Sequence, residues 1–304
     1  MIVFMGTPEF SVPILKMLIE KKYDVSLVVT QPDSYVGRKK VLTESPVKKL
    51  AKSYGIEVFQ PEKLKENYQY IIDKKPKLII TASYGQILPK ALLDKVKAVN
   101  IHGSLLPSLR GGAPIQYALF NGLKETGITL MEMAFKMDSG DMIEHVKVTI
   151  EDQDNYLTLS QKLSIAGRDL LEKRMDDLLL GTYHKEKQDE SLVTFAYTLK
   201  YSDESLDFNQ NAIYNHNRVR GLSPDIGAHF EYKGTTIKVF QSLVSDIIDL
   251  SPGKILISQK RLFIGCNGQA LEILELQQAG KKRMMVRDFL NGQTLFSQGE
   301  NIYE

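Results

Sequence analysis

The residues best suited to chemistry are concentrated in Asn100-Ile101-His102-Gly103-Ser104-Leu105-Leu106-Pro107, followed by Arg110-Gly111-Gly112-Ala113-Pro114. Residues two apart in a strand share a face. Asn100 and His102 would therefore project together, with Ile101 turned to the core. Such a pair at the carboxyl end of a parallel strand is a candidate for catalysis. An Asn-x-His pair also serves as plain polar capping of a strand end. A second polar feature is Met137-Asp138-Ser139-Gly140-Asp141, a tight loop after the apolar segment 128–133. A carboxylate there can hold an imidazole in one tautomer. Asp138 and Asp141 would equally make Asx-type turns. Gly6-Thr7-Pro8 lacks the full glycine pattern of a dinucleotide loop. His145, His184, His216 and His229 are scattered, and there is one cysteine, so no metal site is expected.

The elements that must position these groups can be read from hydrophobic patterning. Short apolar runs at 1–5, 25–30, 78–82 and 98–101 alternate with helical patterns. They predict buried parallel strands in a doubly wound, mostly parallel α/β sheet of Rossmann-like type, whose strand carboxyl ends hold ligands. A last helix is expected over residues 156–180. Leu157, Leu159, Leu163, Leu170 and Leu171 would form its apolar stripe, and Gly181 its stop. Residues 189–205 read as a linker. Alternating segments at 227–232, 235–240, 254–258, 262–266 and 270–276, with a helix near 211–219, predict a smaller OB-like β-barrel. The expected organisation is a catalytic domain over 1–188, the linker, and a barrel domain over 206–304.

Composition narrows the function classes. The 304 residues are 43% hydrophobic and 25% charged, as in a folded globular protein rather than a disordered or collagen-like one. No apolar run approaches the roughly 20 residues of a membrane helix. The opening MIVFMGTPEF lacks the marks of a secretory signal, and a lone Cys266 cannot form an internal disulfide. Both point to a cytoplasmic protein. No obvious apolar interface helix is present, which favours a monomer. The net charge is only +2; residues 1–188 hold 27 basic and 23 acidic side chains, and residues 189–304 hold 12 and 14. A nucleic-acid partner would have to be met by local clusters. Three are available: Arg38, Lys39 and Lys40 with Lys48 and Lys49; Arg218 and Arg220; and Lys281, Lys282 and Arg283 with Arg287. Gly37 makes the stretch 33–42 read as a flexible loop.

The string NIHGSLLPSLRGGAPIQYAL resembles the signature of the folate-dependent formyltransferases. MIVFMGTPEFSVPIL, QPDSYVGRKKVLTESPVKKLA, ASYGQILP, MDSGDMI, VRGLSPDIGAHF and LEILELQQAGKKRM are similar, in order, to the members of that family that act on a charged tRNA. The chain departs in having no Trp, and in Gly103 and Gly112 where alanine is frequent. The resemblance implies formyl transfer from 10-formyltetrahydrofolate to the α-amino group of methionyl initiator tRNA, for translation initiation. It implies Asn100 and His102 at the oxyanion and the moving proton, with Asp141 orienting His102. It sets Tyr84, Gln86, Ile87 and Leu88, and Ser104, Leu105, Leu106 and Pro107, around the folate. The basic clusters would then contact tRNA. A formyltransferase acting on a small amine such as an amino-sugar nucleotide, or a formyl-folate hydrolase, would share Asn100, His102 and Asp141. Neither would need the basic segments. A non-catalytic RNA- or nucleotide-binding protein would need none of these groups.

Overall fold

Runs of Val, Ile and Leu without polar alternation form stable strands only where both faces are covered. The computed structural model, which describes residues 1–37, 40–292 and 295–304, shows this in its first unit. That unit comprises Met1–Pro114, Glu125–Thr149 and Ser160–Tyr197. Its strands in chain order are β1 (Ile2–Gly6), β2 (Val25–Val29), β3 (Ser34–Val36), β4 (Val41–Thr43), β5 (Glu57–Phe59), β6 (Leu78–Ala82), β7 (Ala98–His102), β8 (Glu125–Glu132) and β9 (Met142–Thr149). Seven of them form one sheet in the order β5-β2-β1-β6-β7-β8-β9. The first five in that order run parallel, and β8 and β9 are antiparallel. All five residues of β1 and of β6 are buried. The four apolar runs of the sequence are β1, β2, β6 and β7.

The helix Tyr156–Leu180 lies behind β7. A Cβ on Gly167 would sit 2.8 Å from the Ile101 side chain, so the glycine lets helix and strand approach closely. Leu159, Leu163, Leu170 and Leu171 are buried as expected, but Leu157 is 40% exposed and lies off the stripe. It stands in the first turn, two residues before Leu159, and residues two apart on a helix do not share a face.

Two other expectations are corrected. Within the stretch 33–42, β3 and β4 pair antiparallel, Ser34 facing Thr43. The foot of this pair is fixed by Asp33, which accepts from Lys48 at 2.7 Å and from Gln60 at 2.8 Å. Arg38 and Lys39 lie outside the described residues. Residues 189–197 are not a free linker. Thr194 and Ala196 hydrogen-bond to the backbone of Arg110, as acceptor at 2.9 Å and donor at 2.8 Å. Polar composition suggested a tether, but backbone pairing does not depend on side-chain polarity.

The second unit comprises Ile115–Lys124, Ile150–Leu159 and Thr198–Glu304. Its strands are β10 (Ala228–Tyr232), β11 (Thr235–Val244), β12 (Ile255–Ser258), β13 (Arg261–Gly265), β14 (Ala270–Gln278) and β15 (Met284–Met285). They pair antiparallel in the order β10-β11-β14-β13-β12, with β15 on β14. β11 pairs with β10 through its first half and with β14 from Ile237 to its end, and it is bulged between Val239 and Ser242. Phe208, Val219, Phe230, Ile237, Ile264 and Leu276 are among the residues of its core. The helix Ala212–Leu222 covers that core. The Asn211 side chain caps it by accepting from the Tyr214 amide at 2.7 Å.

His216 in that helix stands 3.0 Å from the Ser242 hydroxyl. Burial pushes its pKa down to about 4, and the neighbouring Arg220 adds to the shift against the pull of Asp152. The unfolded chain therefore takes up a proton that the folded one refuses between the ordinary value of 6.5 and about 4. The stability contributed by the neutral ring is present above pH 6.5 and is lost as pH falls to about 4, on the order of 3 kcal/mol. Unfolding midpoints measured against pH should fall over that window in the parent chain, and should fall less in His216→Gln.

Candidate active site

β7 ends at the carboxyl edge of the parallel sheet, where the register of β6 and β7 pairs Thr81 with Asn100. The Thr81 hydroxyl donates to Asn100 Oδ1 at 2.7 Å. With its oxygen so engaged, the amide presents Nδ2 as its donor end. Asn100 is half-buried and His102 is buried. Ile101, between them, faces the core as the alternation predicts.

His102 is held from both sides. Nε2 lies 3.0 Å from the carbonyl oxygen of Leu109. A carbonyl can only accept, so Nε2 carries the hydrogen. Nδ1 lies 3.7 Å from Asp138 Oδ2. In the neutral ring Nδ1 is then the nitrogen that can take a proton, with a carboxylate beside it to balance the charge. The carboxylate is in turn fixed by the Gly111 amide, which donates to Asp138 Oδ2 at 2.9 Å. Gly111 has φ +128, and a Cβ there would fall on the carbonyl oxygen of Ala196. Only glycine can bring that amide to Asp138 under the covering segment.

The carboxylate facing His102 is thus Asp138, and the expectation for Asp141 is corrected. Asp141 pairs with Lys185 at 3.2 Å. Glu132 accepts from the same Lys185 at 2.6 Å and from the Tyr183 hydroxyl at 2.6 Å. These hydrogen bonds, to Glu132 first and Asp141 second, raise the Lys185 pKa. The tight turn is Lys136–Ser139, closed by the Ser139 amide donating to the Lys136 carbonyl, so Asp138 lies inside it and Asp141 beyond it.

The loop after β7 is braced by a residue the sequence did not single out. Thr129, fully buried on β8, donates to the Ser104 carbonyl at 2.7 Å and accepts from the Leu106 amide at 3.0 Å. It stands opposite His102 in the β7–β8 register. Ser104 is buried, its hydroxyl donating to the Ser108 carbonyl at 2.6 Å. Leu106 is buried as well, while Leu105 and Pro107 are partly exposed.

The other expected folate stretch divides by role. Tyr84 and Leu88 belong to the apolar core with Val3, Met5 and Ile79. Burial raises the pKa of the Tyr84 hydroxyl. Gln86 is a bracket: its oxygen accepts from the Leu64 amide at 2.7 Å, and its nitrogen donates to the Pro61 carbonyl at 3.1 Å. Ile87 is 71% exposed and available to a ligand.

Several candidate tRNA contacts are occupied within the second unit. The Arg218 guanidinium lies between the rings of Phe120 and Tyr214 and donates to the Asp203 carbonyl. Arg220 donates to the carbonyls of Asp154 and Glu151 at 2.6 and 2.8 Å. Arg283 packs on Phe240 at 3.9 Å and bonds to Glu275 and the Pro224 carbonyl. These three hold the fold together. Lys40, Lys281 and Lys282 are exposed. No group of three or more His, Cys, Asp and Glu that could hold a metal ion occurs among the described residues.

A formyl transferase family matches residues 1–175, and a formyl transferase C-terminal domain matches residues 198–294. The chain is 48% identical to the methionyl-tRNA formyltransferase of Latilactobacillus sakei over 96% of its length and 94% of that protein's. It is 47% identical to that of Bacillus subtilis, over the same shares of the two chains. The chain belongs to the methionyl-tRNA formyltransferase family. Two solved structures share the fold of this formyltransferase. An N-formyltransferase from Helicobacter canadensis, in complex with folinic acid and dTDP-3-aminofucose, is 19% identical with a TM-score of 0.68, covering 90% of this chain and 98% of that one. HypX from Aquifex aeolicus, in complex with tetrahydrofolic acid, is 17% identical with a TM-score of 0.65 over 95% of this chain. This chain spans 46% of that one. Among the described residues, no helix of this formyltransferase is long and apolar enough to cross a membrane.

The two acids can be told apart. Asp138→Asn should lower kcat about 100-fold or more, the scale of a lost proton-transfer partner. Asp141→Asn breaks a half-exposed ion pair and should stay within a few-fold of the parent, since such pairs contribute about 0–1 kcal/mol. Initial rates of both variants decide the assignment.

Proposed function

We propose that the chain transfers the formyl group of 10-formyltetrahydrofolate to the α-amino group of methionyl initiator tRNA, with Asn100, His102 and Asp138 as the catalytic groups. The observation that carries this reading is the imidazole of His102 set between the Leu109 carbonyl and the Asp138 carboxylate, two residues along the strand end from Asn100. The identity of 48% with a methionyl-tRNA formyltransferase supplies the acceptor.

The amine nitrogen attacks the formyl carbon, and a C–N bond forms while the carbonyl electrons move to oxygen. The Asn100 amide donates to that oxyanion. Removing one such donor costs about 2.7–4 kcal/mol of transition-state stabilisation. The attacking nitrogen loses a proton to His102 Nδ1, where Asp138 stabilises the imidazolium. The proton is returned to N10 of the folate as the bond from carbon to N10 breaks. A neutral amine is nucleophilic enough that no covalent enzyme intermediate is needed.

Ile87, Leu105 and Pro107 offer apolar surface for the pterin, and the backbone of residues 84–88 and 104–107 offers donors and acceptors at its edge. For the acceptor arm the contacts are Arg38, Lys39 and Lys40, between β3 and β4 in the sequence, with Lys281 and Lys282 of the second unit. The enzyme acts as a monomer in the cytoplasm, where charged tRNA and reduced folate are found.

Incubation with 10-formyltetrahydrofolate and charged methionyl initiator tRNA should yield formyl-methionyl-tRNA. An amino-sugar nucleotide in its place should yield nothing, and buffer alone should leave the folate intact. Formylation of the sugar, or equal folate loss in buffer, contradicts the proposal. Changing Arg38, Lys39 and Lys40 together to Ala should raise KM for charged tRNA without changing folate affinity. It should also flatten the salt dependence of tRNA binding by about 0.7–0.9 of a slope unit for each phosphate no longer neutralised.

A further inference from the structure

Asp138 sits in a conformation it cannot keep unaided. Its φ is +47, in the left-handed region, and its side chain is 15% exposed. A non-glycine residue persists there only where its surroundings hold it. Gln188 supplies that hold: its Nε2 donates to the carbonyls of both Asp138 and Gly140, each at 2.8 Å. Its Oε1 accepts from Arg110 Nε at 2.9 Å. Arg110 has none of its surface in water, and its other end bonds to Glu190 at 2.8 Å. One amide therefore joins the Asp138 loop to a buried cation in the loop that follows β7.

We propose that Gln188 is a positioning residue for Asp138, so that the segment after the catalytic domain's last helix is part of the catalytic apparatus. The inference rests on the role given above to Asp138. Gln188 does not touch substrate. It fixes the two carbonyls that flank Ser139 and thereby the direction in which the Asp138 carboxylate points. Neither the Arg110–Glu190 pair nor the backbone bonds of residues 194 and 196 make that contact.

Gln188→Glu separates positioning from anchoring. Glutamate keeps the size and an acceptor for Arg110, whose cation it would bind at least as well. It cannot donate to either carbonyl. The expected result is a loss of about 10- to 100-fold in kcat, the scale of a misplacement near 1 Å, with an unchanged thermal midpoint. KM for tRNA and folate should stay within about twofold of the parent. In an Asp138→Asn background the same replacement should cost nothing more, because Gln188 acts through a group already removed. Gln188→Leu, which lacks the donor as well, should match Gln188→Glu in kcat. Parent-like kcat in Gln188→Glu, or losses that multiply fully in the double variant, would overturn the inference while leaving the formyl-transfer reading intact if Asp138→Asn is impaired. A parent-like Asp138→Asn would remove the catalytic role of Asp138 and this inference together.

Discussion

The guanidinium of Arg110 carries a full charge with no access to water, and much of the catalytic unit's local architecture follows from it. An uncompensated charge in that position would be strongly destabilising. Its partners, Gln188 and Glu190, both come from the segment that follows the long helix. The chain must therefore fold back over the loop after β7 before the cation is satisfied. Once it has done so, Thr194 and Ala196 complete backbone bonds to the same residue. Ala196 covers Gly111, and the Gly111 amide reaches Asp138. The pairing with Arg110 also holds the Glu190 carboxyl below its usual range.

From this packing the site inherits its geometry. The carbonyl of Leu109, adjacent to Arg110, fixes Nε2 of His102, and Asp138 faces the other ring nitrogen. Thr81 and Thr129 orient Asn100 and the loop after β7 from the neighbouring strands. The two groups proposed to react, Asn100 and His102, stand on a strand, while their support comes from segments distant in sequence. Such separation places the mobile requirements of binding on the loops and leaves the reacting atoms on a rigid element.

Much of this was legible in the sequence. The apolar runs located β1, β2, β6 and β7, and the spacing of Asn100 and His102 gave one face of a strand end. The alternating segments of the second unit became β10 to β14. What the sequence could not resolve was which acid meets His102. Asp138 and Asp141 differ by three residues, and spacing alone does not show that Asp138 lies inside the Lys136–Ser139 turn and Asp141 beyond it. The β3–β4 pair and the covering segment were hidden for a similar reason. Their stability comes from backbone pairing and from Lys48, Gln60 and Arg110, not from apolar periodicity. Basic residues of the second unit are also tied into its fold. A count of charge does not show that Arg218 is sandwiched by two rings, or that Arg220 and Arg283 spend their donors on carbonyls.

The central claim is that His102 donates through Nε2 to Leu109 and keeps Nδ1 for the travelling proton beside Asp138. Nitrogen-15 chemical shifts of labelled histidine, recorded in alkaline solution where the ring is neutral, report the tautomer directly. The geometry predicts a protonated Nε2 and an unprotonated Nδ1 for His102. A resonance pattern with the hydrogen on Nδ1 would contradict it, because the Leu109 carbonyl would then face a lone pair and the catalytic path of the proton would have to be drawn elsewhere.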